Sequence, residues 1–352
     1  MSDVLARAQA LGTPLISGQW ATFVYQGERA PLLMGDFTNW HRGLPLTFGS
    51  DRPGVWVATV TLPRDAYLEY ALLVDGVRQP DPLNRRPVED GLGHTNSAFN
   101  MPAFVETPLI TPPPGGLRGT LTAHDVPANG HLPSASRAVQ LYQPPTGQPC
   151  PLLVVLDGQD FAAKAFLPII VDNLIAAGQI RPLALALVAS NGPYRLTEYA
   201  CSDATLAFLC HDLLPVAQAH LNLLDPAKQP GTYGIMGASM GGLMSLYAAV
   251  RAPEIFGSAL IESCAIEAHV PEYRLYYRSV LSDLLAHTPP PRLNLWLDCA
   301  LHEWFLSPNR RLVATLRQQG HAVAYHEHPS GHNYPSWRNV LWRGLLHLYG
   351  QP

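Results

Sequence analysis

Between residues 20 and about 104, apolar and polar positions alternate in short runs. WATFVYQ, APLLMGDF, GVWVATVTL and YLEYALLVDG are rich in Val, Tyr, Trp and Thr and are broken by Gly, Pro and Asp turns. A spacing of roughly ten residues per run predicts a small β-sandwich. From residue 119 the pattern changes. PLLVVLDG (151–158) and RPLALALVAS (181–190) are continuous apolar runs, as expected of strands covered on both faces. AFLPIIVDNLIAAGQ and ATLAFLCHDLLPVAQAH instead carry apolar residues at helical spacing. Beyond them GTYGIMGAS, SALIES, RLNLWLDCA and AVAYHEH read as strands. GGLMSLYAAVRAPEIF, NRRLVATLRQQG and WRNVLWRGLLHLYG, interleaved with them, read as helices. This alternation predicts an α/β fold: a mostly parallel sheet with helices on both faces, with SRAVQLYQP at its edge. The Pro/Gly stretch ETPLITPPPGGLR at 106–118 holds neither helix nor sheet. The expected division is a β-sandwich domain over 1–105, a linker over 106–118 and a catalytic α/β domain over 119–352.

Composition narrows the classes. The 352 residues suffice for two domains, and 47% hydrophobic with 14% charged side chains excludes global disorder. With 23 basic against 27 acidic residues, the net charge of −4 offers no footprint for nucleic acid or an anionic membrane. Cys150, Cys201, Cys210, Cys264 and Cys299 lack C-x-x-C spacing, so reduced thiols are expected rather than disulfides or a zinc site. The N-terminus shows no basic start followed by an apolar run and cleavage site, and no stretch reaches membrane-spanning length. A cytoplasmic protein is expected.

The chemistry centres on Gly237-Ala238-Ser239-Met240-Gly241, a G-x-S-x-G between a predicted strand and a predicted helix. That is the context of a nucleophile elbow, in which a sharp turn presents Ser239 Oγ at a helix N-terminus and leaves no room for side chains at 237 and 241. A serine needs a base, and the chain order of this fold is Ser, acid, His. His332, between the strand AVAYHEH and the last helix, is the expected base, with His326 and His328 in or beside that strand and His302 and His321 in loops as the competing histidines. Two acids compete. Glu303 lies in the loop after LNLWLDCA and is favoured, whereas Asp298 sits near the end of that strand. The oxyanion hole should combine the Met240 N–H with an N–H of Gly158 or Gln159 from the loop after LLVVL. This chemistry requires no metal and no cofactor.

With these residues assembled, the chain resembles the enterochelin (enterobactin) esterases, in the esterase-D-like branch of the α/β-hydrolases. The resemblance rests on LLVVLDG, YRLTEYAC, GIMGASMGGLMSLYAAVRAPEIFG, EWFLSPNRRLVATLRQQGH, the ending GHNYPSWR and, in the front half, DPLNRRPVEDGLGHTNSAFNMP. It implies hydrolysis of a cyclic trilactone siderophore such as ferric enterobactin, a small-molecule partner, with Ser239, Glu303 and His332 as triad. Arg195 and Trp337, within the shared motifs, become candidate substrate-binding residues. An Arg195 paired to Glu198 or to a backbone carbonyl is the structural alternative. IESCAIEAHVPEYRLYYRS departs from the family's usual wall, and Ser330 stands where a glycine is common. Arg195, Arg274, Arg278, Arg310, Arg311 and Arg338 are candidates to converge on an anionic ligand. The front domain also resembles Ig-like glycogen-binding modules, which makes Trp40 and Trp56 candidates for sugar stacking or for core.

Three functions are therefore in play: a siderophore esterase, a feruloyl- or acetyl-type carboxylesterase, and a non-catalytic carbohydrate-binding scaffold. Oligomeric state leaves no mark in the sequence.

Overall fold

A computed structural model describes residues 3–40, 43–48, 53–90, 93–113, 115–116, 118–270, 275–287 and 292–351. The alternating segments of the front half become strands β1 (Leu15–Ser17), β2 (Trp20–Gln26), β3 (Leu32–Gly35), β4 (Leu44–Pro45), β5 (Thr47–Phe48), β6 (Val55–Thr61), β7 (Tyr67–Val74), β8 (Val77–Gln79), β9 (Pro87–Glu89) and β10 (Thr95–Asn100). One antiparallel sheet runs β1-β2-β6-β5. Strand β7 anchors the other, between β3 and β10. Their alternating apolar residues meet in a core of Phe23, Leu33, Leu68, Tyr70, Leu72 and Phe99, where Phe23 packs edge-on to Tyr70 at 4.8 Å. Helix α1 (Val4–Leu11), capped by the Asp3 carboxylate, packs Leu5 and Ala8 beside Val24 and Val55. Trp40 and Trp56 both spend their indole N–H inside this half, on Asp36 Oδ1 and the Gly27 carbonyl, and each ring is covered, by Arg78 at 4.4 Å and Phe48 at 4.3 Å.

The second half supplies β11 (Thr120–Pro127), β12 (Ser136–Gln143), β13 (Leu152–Leu156), β14 (Ala184–Val188), β15 (Tyr233–Ala238), β16 (Phe256–Glu262), the ribbon β17 (Glu267–Val270) and β18 (Leu275–Arg278), β19 (Asn294–His302) and β20 (Ala322–Gly331). The sheet order is β11-β12-β14-β13-β15-β16-β19-β20, parallel from β14 to β20. The segment expected at the edge, β12, is second: β11, with a mostly exposed side-chain pattern, covers it. Helices α2 (Gly158–Ala163), α3 (Leu167–Ala176) and α10 (Tyr334–Tyr349) cover one face. On the other lie α4 (Arg195–Tyr199), α5 (Asp203–Ala207), α6 (Leu214–His220), α7 (Met240–Arg251), α8 (Val280–His287) and α9 (Leu306–Gln318). Between α5 and α6 a wide π-type turn spans Phe208–Leu213. It precedes Pro215, whose ring would crowd a regular α-helical turn.

Two features tie the halves together. Tyr67 of β7 pairs in parallel with Ser330 of β20, so the second front sheet continues the catalytic one. The segment after residue 105 is strapped down rather than loose: Thr107 N–H reaches Asn339 Oδ1, Asn339 Nδ2 reaches the Val105 carbonyl, and Asn173 Nδ2 reaches the carbonyls of Leu109 and Thr111. Among the described residues, no helix is long and apolar enough to cross a membrane.

Candidate active site

Strand β15 ends at Ala238 and α7 starts at Met240, which leaves Ser239 as the turn. Its backbone sits at φ 58° and ψ −120°, a conformation that costs a non-glycine residue about 1–3 kcal/mol. The turn is held by the Ser239 N–H on the Glu262 carbonyl at 2.8 Å and by the Ala265 N–H on the Ser239 carbonyl at 3.1 Å. A Cβ at Gly237 would lie 2.5 Å from the Gly241 backbone, so only glycine fits. At Gly241 the crowding is milder, 3.2 Å from Asp157 Oδ2. The N–H of Met240 heads α7 and has no acceptor within the helix.

His332 follows the last residue of β20 and precedes Asn333, whose side chain caps α10 by accepting from Ser336 N–H at 3.0 Å. Strand and capped helix thus fix both ends of the loop. His332 Nδ1 is hydrogen-bonded to Glu303 Oε2. The other carboxylate oxygen accepts the Ala300 N–H at 2.9 Å and the Cys299 thiol. Burial pushes the Glu303 carboxyl up, but the charge and hydrogen bond of His332, with the Cys299 and Ser263 donors, outweigh it and hold it below the ordinary value. An anionic acceptor there puts the imidazole proton on Nδ1 and leaves Nε2 as the basic atom. Trp304 at 5.9 Å, Phe305 at 5.4 Å and Trp337 at 5.0 Å surround the ring.

Asp298, the rival acid, faces elsewhere. It is fully buried, its Oδ2 accepts the Trp296 indole N–H at 3.0 Å, and its Oδ1 lies 3.6 Å from His328 Nε2. Beside it Glu262 is fully buried and accepts no hydrogen bond on either oxygen. Burial, reinforced by Asp298, drives the Glu262 carboxyl well above its usual range.

The loop after β13 turns through Asp157, at φ 53°, into α2. Gly158 and Gln159 head that short helix. Gly158 is buried so closely on β14 that a Cβ would fall 2.3 Å from the Leu187 backbone. The Gln159 side chain is tied to Ser190 through both its oxygen and its nitrogen. Arg195, expected to face substrate or Glu198, instead grips Asp157 with two 2.7 Å hydrogen bonds and lies over Tyr199. Glu198 pairs with Arg137. Among the described residues, the other arginines named as candidates for an anionic ligand are held by carboxylates. Arg278 pairs with Asp283, Arg310 with Glu327, Arg311 with Glu267 and Arg338 with Glu106, while Arg274 lies outside the described residues. Trp337, a substrate-binding candidate in the sequence, is 5% exposed and donates its N–H to Ser263 Oγ at 3.0 Å. It has little surface to offer a ligand and instead backs His332 with its ring edge.

Sequence reasoning missed the supports: Cys299, Asp157, Ser263 and the aromatic cage. Only Asp157, beside Gly158 in the quoted loop, carried a visible signal.

A serine on a strained strand–helix turn of an α/β sheet, with a histidine–carboxylate pair just past two of the following strands, is the arrangement of serine ester hydrolases. Residues 131–348 match the family model described as "Putative esterase", and the chain belongs to this esterase family. It is 26% identical over 275 residues to the iron(III) enterobactin esterase of Escherichia coli (strain K12), covering 76% of this chain and 67% of that protein. The enterobactin esterase of Shigella flexneri, solved in the presence of enterobactin, superposes with a TM-score of 0.74 at 21% identity over 94% of this chain and 92% of that one. A ferulic acid esterase superposes with a TM-score of 0.54 at 17% identity, over 67% of this chain and 99% of that one.

Proposed function

We propose that this esterase is an α/β-hydrolase acting through an acyl-enzyme on a catecholate trilactone siderophore, with Ser239 as nucleophile, His332 as base and Glu303 as acid. The observation that carries the triad is the Glu303–His332 pair, which lies beyond the elbow in chain order and leaves Nε2 free to serve a serine. Ser239 Oγ attacks the ester carbonyl as Nε2 takes its proton, and Glu303 stabilises the imidazolium without itself being protonated. The Met240 N–H, with that of Gly158 or Gln159, receives the developing oxyanion. Nε2 then protonates the leaving alcohol, and water repeats the sequence to release the acid. Arg195 serves by fixing Asp157, the hinge of the oxyanion loop, rather than by binding ligand.

The siderophore assignment is supported by the likeness to enterobactin esterases across front and catalytic halves. The same likeness supports a cytoplasmic setting, an Ig-like character for the front domain, and the division near residues 105 and 119. A ferric tris-catecholate is strongly anionic, and the arginines described above are all occupied by carboxylates. That favours one second reading, a feruloyl- or acetyl-type carboxylesterase. The test compares wild type and Ser239→Ala on a catechoyl-serine trilactone, p-nitrophenyl acetate and methyl ferulate. Trilactone preference abolished in the variant is the expected result. Ser239-dependent turnover of the simple esters alone keeps the mechanism and discards the siderophore, and turnover unaffected by the substitution removes the triad.

A further inference from the structure

The residue that delivers His332 is Gly331, and the atoms that press on Gly331 come from the front domain. A Cβ built on Gly331 would lie 1.9 Å from Asp36 Cγ, 2.1 Å from Oδ2 and 2.2 Å from Oδ1. The Asp36 carboxyl therefore lies flat against the glycine α-carbon, one residue before the imidazole. Asp36 is 2% exposed, and both its oxygens are fixed from its own side: Trp40 Nε1 donates to Oδ1 at 2.8 Å and the Glu69 backbone N–H to Oδ2 at 2.8 Å. Behind Glu69 the network continues through the Asn96 amide at 3.0 Å and the Tyr67 hydroxyl at 3.2 Å. Tyr67 is the residue whose backbone pairs with Ser330. The last two residues of β20, 330 and 331, which lead into His332, are thus pinned by two parts of one buried front-domain network.

A buried carboxyl is a costly way to fill space, since an apolar side chain would pack there without desolvation. A flat, doubly anchored group, by contrast, can lie on a glycine without overlap. Burial, with the charge of Glu69 and to a smaller extent that of Glu303, pushes the Asp36 carboxyl well above its usual range, which sets it within electrostatic reach of the acid. We propose that Asp36 is a positioning residue for the reaction, through which the front domain sets the height and orientation of His332. This rests on the triad reading above and deepens it: the front domain becomes part of the catalytic apparatus whether or not it touches substrate.

The test is steady-state hydrolysis of p-nitrophenyl acetate by the full chain, with Tm recorded for each variant. Asp36→Ala should lower kcat about 10- to 100-fold with KM within about twofold, the signature of a misplaced base rather than lost binding. Gly331→Ala should lose at least as much. The double variant should lose no more than Gly331→Ala alone, because the space left by the carboxyl accepts the new methyl. A merely structural role would lower Tm and leave kcat of the folded enzyme unchanged. A folded Asp36→Ala with kcat within twofold of wild type, or losses that multiply in the double variant, overturns the proposal. Should Asp36→Ala fail to fold, Asp36→Ser, which removes the flat carboxyl from Gly331 but leaves a polar group for the donors around it, takes its place, and an unchanged kcat there overturns it equally. His332→Ala is the control: if it retains wild-type turnover the triad reading itself falls, whereas an inactive His332→Ala beside fully active Asp36 variants removes only Asp36.

Discussion

Strands β19 and β20 bring together two acid–histidine pairs that are furnished very differently. Glu303 and His332 stand just past the strand ends, where the backbone leaves the ladder and side chains can close on each other. Asp298 and His328 stand within the ladder, where Asp298 is paired to His326 and His328 to Ala300, and the register holds carboxylate and imidazole 3.6 Å apart. Glu303 collects donors from a backbone N–H, a thiol and the imidazole. In the other pair Asp298 Oδ1 and both His328 nitrogens lack hydrogen bonds. Residue type does not separate the pairs. Position relative to the strand end does, because only a released backbone can bring an anion into line with Nδ1.

The sharpest way to break this comparison is to neutralise each acid in turn. Glu303→Gln keeps the volume but removes the charge and the tautomer control, and kcat should fall by about 10³- to 10⁴-fold, by analogy with amide replacement of a triad aspartate. Asp298→Asn should leave kcat within about threefold. Equal losses in the two variants, read by p-nitrophenyl acetate hydrolysis, would show that the pairs are not functionally distinct.

A smaller effect tests whether the number of donors matters. Cys299 is fully buried, and burial, with the charge and hydrogen bond of Glu303 after it, pushes its thiol well above the ordinary value. It acts as a neutral donor to the acid. Cys299→Ala should lower kcat about three- to tenfold with little change in KM, and Cys299→Ser should restore part of the loss. No difference between Ala and Ser would reduce Cys299 to packing.

These pairs also mark how far the sequence could be read. The elbow was legible because its glycines are imposed by sterics: at 237 the opposing backbone forbids any side chain, and that leaves a written trace. His332 was legible from its place between a strand and a helix. Choosing Glu303 over Asp298 rested on the same idea, that a loop residue reaches further than a strand residue, although β19 proved longer than LNLWLDCA and runs to His302. Backbone pairing leaves no such trace. The displacement of β12 from the edge and the Tyr67–Ser330 junction depend on which strands meet, and the polar, exposed β11 carries little apolar signal. A guanidinium such as Arg195 reads the same in sequence whether it faces a ligand or Asp157, and an indole such as Trp337 the same whether it meets a ligand or backs His332. Gly331 was visible as a glycine, but Asp36, nearly three hundred residues away, was not visible as the reason.

The smallest expected effect concerns stability and has opposite signs at the two carboxyl sites. Glu303 is held below its unfolded value, so its contribution is present above about pH 4.5 and is lost as pH falls through the depressed folded value. Glu262 is raised. Above about pH 4.5 the unfolded chain releases this proton while the folded chain keeps it, so the unfolded state binds fewer protons and stability falls as pH rises toward the elevated folded value. Glu262→Gln ionises in neither state and should flatten that fall, raising stability at pH 7 by about 1 kcal/mol. Because Glu262 holds the elbow only through its backbone carbonyl, kcat should stay close to wild type. Chemical denaturation at pH 5 and pH 7 reads the difference directly. A variant that loses stability equally at both would mean that the Glu262 carboxyl is satisfied as an anion in the folded protein, and the contrast between a well-furnished acid and an isolated one would then fail at its weaker member.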